Sequence, residues 1–271
     1  METIKYLQFY FVFDRIMSGY DDIFVAIESE ILDRFDNFMD EFSFDYDDTK
    51  RFLMRLAKGD RKRFATSKYL PRLLSSAIIS ELLDKKFIKI EQSKEIKPIK
   101  NRHQKLKKEL RRYQIQDKIH FTKRFYRFWF RFIEPNLELL KNNQKDIVIN
   151  EIKNEFDHYC SLEFELACIE LLSKSLNIPK GQISSYWDRE NEIDIYANYD
   201  GFTIVAEAKY KERKICKNIL NLLIQKCEKS KINWDKIALF SKSGFSNELL
   251  GLRDDRVILF DIDDFKDLYE R

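Results

Sequence analysis

The sequence predicts a mixed chain, all-α in its N-terminal part and α/β around a central mixed sheet in its C-terminal part. Three observations predict it. Apolar residues recur at three- and four-residue steps through much of the first half, which is the helical period. Beyond residue 155, alternating and continuous apolar runs of strand length are separated by helical stretches. Only 6 glycines and 4 prolines occur in 271 residues, too few for the turns of an all-β chain or for a flexible linker.

Residues 1–48 read as an acidic helical segment. Ile16, Tyr20, Ile23, Phe24, Ile27, Ile31, Phe35 and Phe38 keep the helical period, with Asp and Glu on the other face. Glu2 and the lack of a small-residue cleavage site argue against a signal peptide, and no apolar run is long enough to span a bilayer. A cytoplasmic protein is expected. Cys160, Cys168, Cys216 and Cys227 fall in predicted helices at spacings of no zinc module, so all four are expected as buried thiols.

Residues 49–98 carry three helices and a hairpin. Asp45–Thr49 offers acidic capping residues for the first helix, which holds Phe52, Leu53 and Leu56 and ends near Gly59. A short helix covers 64–70, and Pro71 opens a third with Leu74, Ile78, Ile79, Leu82 and Leu83. Residues 87–90 alternate like a strand, 92–94 can turn, and 95–97 can return. That order is the order of a winged helix, whose third helix enters a DNA major groove.

Residues 99–154 read as a basic and aromatic helical connector. Residues 85–131 hold 17 basic and 4 acidic residues, against 4 and 13 in residues 1–50. Positive charge of this density is the footprint of a polyanion, and double-stranded DNA is the expected partner. The candidate phosphate contacts are Lys85, Lys86, Lys105, Lys107, Lys108, Arg111, Arg112, Lys123 and Arg124. Phe125, Phe128, Trp129 and Phe132 alternate with arginines; their period favours a packed helix face over a base-stacking platform.

Residues 155–271 carry the chemistry. A helix over 161–172 holds Glu165 near its N-terminal turns. Residues 192–197 alternate, placing Ile193, Ile195 and Ala197 on one face and Asp194 on the other. After a short turn at 198–201, Phe202–Tyr210 puts Val205, Glu207 and Lys209 on a shared face. Paired as a hairpin, the strands bring Asp194 near Glu207 and Lys209. Two carboxylates on strands suited to burial are costly unless a cation compensates. With the Ala208 carbonyl and waters they make an oxygen-rich site suited to Mg²⁺ or Mn²⁺. Gln225, in the following helix, is expected to face solvent, and His103, His120 and His158 are expected to be incidental. Residues 237–240 and 257–260 read as buried strands.

Asp194 followed by Glu207-Ala-Lys209 resembles the core of the PD-(D/E)xK nuclease superfamily, whose fold is restriction-endonuclease-like. Trp187–Ile195, Glu207–Tyr210 and Leu239–Leu249 are similar to the C-terminal domain of unknown function 234 of archaeal-type ATPases, and Phe121–Asn136 to the segment joining a winged helix to that domain. The resemblance implies metal binding by Asp194 and Glu207, an essential Lys209 and phosphodiester hydrolysis; Glu165 is placed to assist from its helix. Those relatives carry an ATPase ahead of the winged helix. None of the six glycines here precedes a lysine, so no G-x-x-x-x-G-K-[ST] loop exists in this chain and ATP hydrolysis is not expected of it. The alternative expectation is a catalytically inactive DNA-binding regulator or scaffold, as a homodimer or with an ATPase supplied in trans.

Overall fold

The computed structural model describes residues 2–59, 61–95, 103–105 and 115–268. The helical half begins with α1 (Glu2–Phe13), then α2 (Ile23–Ile27), which Asp22 caps by accepting from the Phe24 and Val25 amides. A π turn (Glu28–Leu32) and a 3-10 stretch (Phe35–Phe42) follow. Next come α3 (Asp48–Ala57), α4 (Arg63–Ser67) and α5 (Arg72–Asp84), with Pro71 at the start of α5. The expected acidic cap of α3 does not form: Asp47 makes no capping bond. Glu81 reaches across from α5 instead and accepts from the Asp45 amide at 2.8 Å and from the Thr49 hydroxyl at 3.3 Å.

β1 (Ile88–Glu91) pairs antiparallel with β2 (Lys118–Phe121), in the register Ile88↔Phe121 and Glu91↔Lys118. The strand expected to pair with 87–90 was 95–97; among the described residues the partner is β2. Glu95 is in no strand, residues 96 and 97 lie outside the described residues, and the returning strand comes from well downstream. His120, expected in the connector, belongs to that strand.

α6 (Arg124–Phe128) runs into a π turn (Trp129–Ile133) and a 3-10 turn (Glu134–Asn136). Phe128, Trp129, Phe130, Phe132 and Ile133 are all buried, so the segment is apolar nearly all round. Such a helix belongs inside a core, and it packs between α1, α3 and the long helix described next. The packed reading of these aromatics holds. Phe42 stacks on Trp129 at 4.6 Å and Phe87 on Tyr126 at 4.3 Å.

After α7 (Leu137–Lys141), α8 runs unbroken from Lys145–Leu176 for 32 residues and ends at Asn177, which is left-handed at φ 52. The domain boundary expected at 154 falls inside it. Glu165 lies past its middle, not in its first turns.

Five strands form the larger sheet in the order β3-β4-β5-β6-β7: β3 (Ile183–Trp187), β4 (Glu192–Tyr199), β5 (Phe202–Lys209), β6 (Lys236–Ser241) and β7 (Val257–Phe260). The first three pair antiparallel and the last two join in parallel. α9 (Lys217–Lys229) makes the crossover from β5 to β6, and α10 (Asn247–Leu250) lies between β6 and β7. β4 and β5 meet at Tyr199↔Phe202 through a two-residue turn in which Asp200 (φ 53) and Gly201 (φ 78) are both left-handed. That is the hairpin turn whose twist matches the flanking strands, and Asp-Gly is a preferred pair for it.

Ile195, Ala197, Ile204, Ala206 and Phe240 share a core with Phe164 of α8. The same core continues without a break to Phe9 and Phe11 of α1 and to Trp129. Ile193, Val205, Leu223 and Leu239 form a second core on the opposite face, under α9. Ile193 and Ile195 thus bury on different sides, although simple alternation places them together. The β3–β4 register gives the reason. Ser184 faces Tyr196 and Tyr186 faces Ile193, so Asp194 and Ile195 both stand opposite Ser185. This is a β-bulge, one extra residue that shifts the alternation by one and re-aims its neighbours.

Candidate active site

Asp194 sits in that bulge. The β4–β5 ladder ends at Ile195↔Ala206, and the next amide facing β4, that of Ala208, donates to Asp194 Oδ2 at 2.9 Å. The carboxylate takes the bond that a regular strand would have made. On β5, Val205 turns into the core beneath α9, and Glu207 and Lys209 follow on the same face by period two. Lys209 Nζ lies 2.7 Å from Glu207 Oε1 and 3.8 Å from Asp194 Oδ2. One ammonium therefore reaches both carboxylates, and the three side chains expected to converge do so.

Lys226 joins them. It lies on α9, and its Nζ stands 2.8 Å and 3.1 Å from the two oxygens of Glu207. Spacing could not reveal it, because it is seventeen positions after Lys209 in a helix with lysines on several faces. The one usable signal was Cys227 and Leu223 facing the core, which turns position 226 toward the strand end. Gln225, beside it, is exposed.

Burial raises the pKa of Asp194, and the charge of Glu207 adds to the rise. Burial works against the Lys209 ammonium, but Asp194 and Glu207 outweigh it and hold its pKa above the ordinary value. Glu165 is half-buried on α8; burial, then the charge of Asp194, push its pKa up to about 7. It pairs with Arg61 at 3.7 Å.

A second polar chain runs from this site to the helical half. Arg61 also lies 3.9 Å from Glu192, whose Oε1 accepts from Lys118 at 2.6 Å. Lys118 is buried, donates to Ser185 Oγ at 3.1 Å and lies over the Trp187 ring. Glu91 accepts from the Ser185 amide and, at 2.6 Å, from His120 Nε2. His120, expected to be incidental, thus has an acidic partner. Burial lowers the His120 pKa, so the ring is neutral and donates its Nε2–H to an ionised Glu91.

The candidate phosphate contacts divide. Lys86 and Lys105 are exposed. Lys107, Lys108, Arg111 and Arg112 lie outside the described residues. Lys85 pairs with Glu81 at 2.7 Å and Asp45 at 3.2 Å, and Lys123 lies 3.5 Å from Glu41. Arg124 is corrected. Its guanidinium is buried against Glu163, Glu170 and Asp14 and lies over the Tyr10 ring, so it faces carboxylates and not solvent. Cys160, Cys168 and Cys227 are buried as expected, but Cys216 is exposed just before α9.

A central strand flanked by helices on both faces, with carboxylates and lysines gathered at one end, defines the architecture: an α/β domain built onto a helical half. Within it, residues 129–219 match the family described as Archaea bacterial proteins of unknown function, the domain of unknown function 234. The matched stretch includes Asp194, Glu207 and Lys209 and stops short of Lys226. No curated protein and no solved structure matches the chain. Among the described residues, no helix is long and apolar enough to cross a membrane.

Proposed function

We propose that this protein binds nucleic acid, with double-stranded DNA as first choice, and hydrolyses phosphodiester bonds at the end of β5. The observation that supports this most is the Lys209 ammonium shared between Asp194 and Glu207 across the bulge. In this reading the larger domain is a nuclease-like fold of the PD-(D/E)xK kind. α3 to α5 with β1 and β2 act as a winged-helix-like module. The exposed face of α5 carries Arg72 with Leu73, Ser76, Ser80 and Leu83, so phosphate contacts fall to the basic residues after it.

A divalent cation fits the donor set. Asp194 and Glu207 supply oxygens, and the Ala208 carbonyl points to the same side of the strand as its N–H, toward Asp194. Burial, then the charge of Glu207 on Asp194 and of Asp194 on Glu165, raises both pKa values, and a cation would favour the ionised forms. Among the described residues no cluster of three or more His, Cys, Asp or Glu is arranged as a metal cage, so water must complete any coordination. Mg²⁺ or Mn²⁺ held there would lower the pKa of a bound water and stabilise charge on the phosphodiester. Lys209 orients the phosphate and neutralises developing charge. Glu165, titrating near neutrality, can hold or release a proton beside Asp194.

Plasmid cleavage in Mg²⁺ tests this. The parent is expected to cut, and Asp194→Ala and Lys209→Ala to lose at least a hundredfold, about the effect of removing one charge-stabilising donor. Equal background in all three removes the catalytic claim.

One observation favours a second reading. Lys209 and Lys226 together already bond both oxygens of Glu207, so that carboxylate is neutralised without an ion. An inactive DNA-binding scaffold, working as a homodimer or beside an ATPase, needs no more than this. Calorimetry separates the two: the nuclease reading expects Mg²⁺ heat that disappears in Asp194→Ala, and the scaffold reading expects none.

A further inference from the structure

We propose that the cleft between the β1–β2 sheet and α8 is a binding site for a nucleotide-sized ligand that carries a phosphate group. It is separate from the Asp194 centre: Asp194, Glu207, Lys209 and Lys226 are not among its walls.

The cleft encloses about 730 Å³, within the range of small-molecule sites, and lies where the helical half meets the larger sheet, a usual place for one. Seven lysines and arginines line it against three glutamates. Each of those glutamates already has a cationic or hydrogen-bonding partner. Glu91 accepts from His120 and Ser185. Glu163 is held by Arg127 at 2.8 Å and Arg124 at 3.3 Å. Glu170 is held by Arg124 at 3.0 Å, by Lys180 at 2.6 Å and by the Tyr10 hydroxyl at 2.7 Å.

Two ammoniums remain unmatched. Lys89 and Lys94 make no hydrogen bond or ion pair with any described residue. Lys89 has charges of both signs around it: burial, then Lys180, lower its pKa, Glu91 and Glu170 raise it, Arg124 lowers it further, and the net direction is down. Gathering cations that repel one another around a concave space is unfavourable for the empty protein. An anion of two charges with several acceptor oxygens offsets that cost, and a phosphate monoester is such an anion. Phe121, Leu166 and Ile169 give the cleft an apolar wall, against which a flat ring can lie while the phosphate meets Lys89 and Lys180. Size, charge and wall together specify a nucleotide better than a bare inorganic ion.

The two sites touch at one residue. Arg61 lines the cleft and is also the cation 3.7 Å from Glu165.

Calorimetric titration of the full chain at low salt tests the proposal, using the four common nucleoside monophosphates, the matching nucleosides and inorganic phosphate. At least one monophosphate is expected to bind, with its nucleoside tenfold or more weaker and inorganic phosphate competing. Lys89→Glu and Lys180→Met should each weaken the monophosphate at least tenfold, and Lys141→Glu, on remote α7, should leave it unchanged. Circular dichroism confirms that each variant is folded, and Lys94→Glu replaces any that is not. The proposal is overturned if no monophosphate gives heat at millimolar concentration. It is equally overturned if the folded Lys89 and Lys180 variants bind as the parent does, or if only oligonucleotides bind.

Discussion

Glu91 accepts from His120 within the small sheet and from Ser185 in the large one, and so ties the two sheets together. Burial alone would raise its pKa, but His120 and the Ser185 amide prevail and hold it at about 2, below its ordinary 4.5. A depressed acid contributes stability above its unfolded pKa and loses it as pH falls toward the folded value. Urea unfolding should therefore show Glu91→Gln weaker than the parent by on the order of 2 kcal/mol at pH 7, with the gap narrowing between pH 5 and pH 3. A gap independent of pH would mean that shape, and not charge, makes the contact. Glu165 has the opposite sign. Its raised pKa means the folded state holds a proton that the unfolded chain gives up, so its ionisation lowers stability as pH climbs from 4.5 to about 7. Glu163 is different again. It is wholly buried, and its partners Arg124 and Arg127 come from the aromatic segment, where Arg124 was expected to meet phosphate. Sequence cannot tell a solvent-facing arginine from one folded back onto a carboxylate some 36 positions away.

The β4–β5 hairpin is the element that sequence rendered most faithfully, because its information is local. From Ile195 onward, alternation and an Asp-Gly turn fix strand, face and register within a dozen residues. Gly201 has open space around the site of a Cβ, so Gly201→Val tests backbone conformation alone. A loss of about 1–2 kcal/mol is expected on urea unfolding from forcing a β-branched residue to positive φ. No change would show that the turn relaxes to another type. The bulge at Asp194 was not legible, because it is a property of how β3 lies against β4 and leaves no mark in either strand alone. The same holds for β2. Its partner β1 is local in pattern, but the segment between them carries no strand signal, and alternation around 95–97 offered a nearer return. Lys226 was missed for a related reason: a helix face is assigned by its apolar residues, and a lysine on the edge of that face looks solvated until the strand beneath it is known.

At the scale of the molecule, the acidic N-terminal segment does lie against basic partners. Asp14 meets Arg124, Glu41 meets Lys123 and Tyr126, Asp45 meets Lys85, and Asp33 meets Lys145. It is also part of the core, since Leu7, Phe9, Phe11, Ile27, Ile31 and Phe42 are buried in the cluster that reaches the sheet. Deleting residues 1–48 is thus expected to abolish near-ultraviolet circular dichroism. Losing several large buried side chains at 2–5 kcal/mol each exceeds the stability of an ordinary domain. A deletion that keeps native signal would refute the shared core. Acidic residues seated on the lysines expected to meet phosphate would compete with nucleic acid, and Glu41→Gln with Asp45→Asn tests this while leaving the core alone. Several-fold tighter DNA binding at low salt is expected, fading as salt screens the charges; unchanged binding would remove the segment from any competition. The long helix α8 has a mechanical meaning beyond its packing. At 1.5 Å per residue its 32 residues make a strut of about 48 Å, and it has no proline and no π turn to bend at. Its side chains grip the aromatic segment at Tyr159 and Glu163 and reach the carboxylate centre through Glu165. Helical half and carboxylate centre are in this way splinted to one axle, so a long polymer seated on both, as the proposed function requires, must supply the curvature itself.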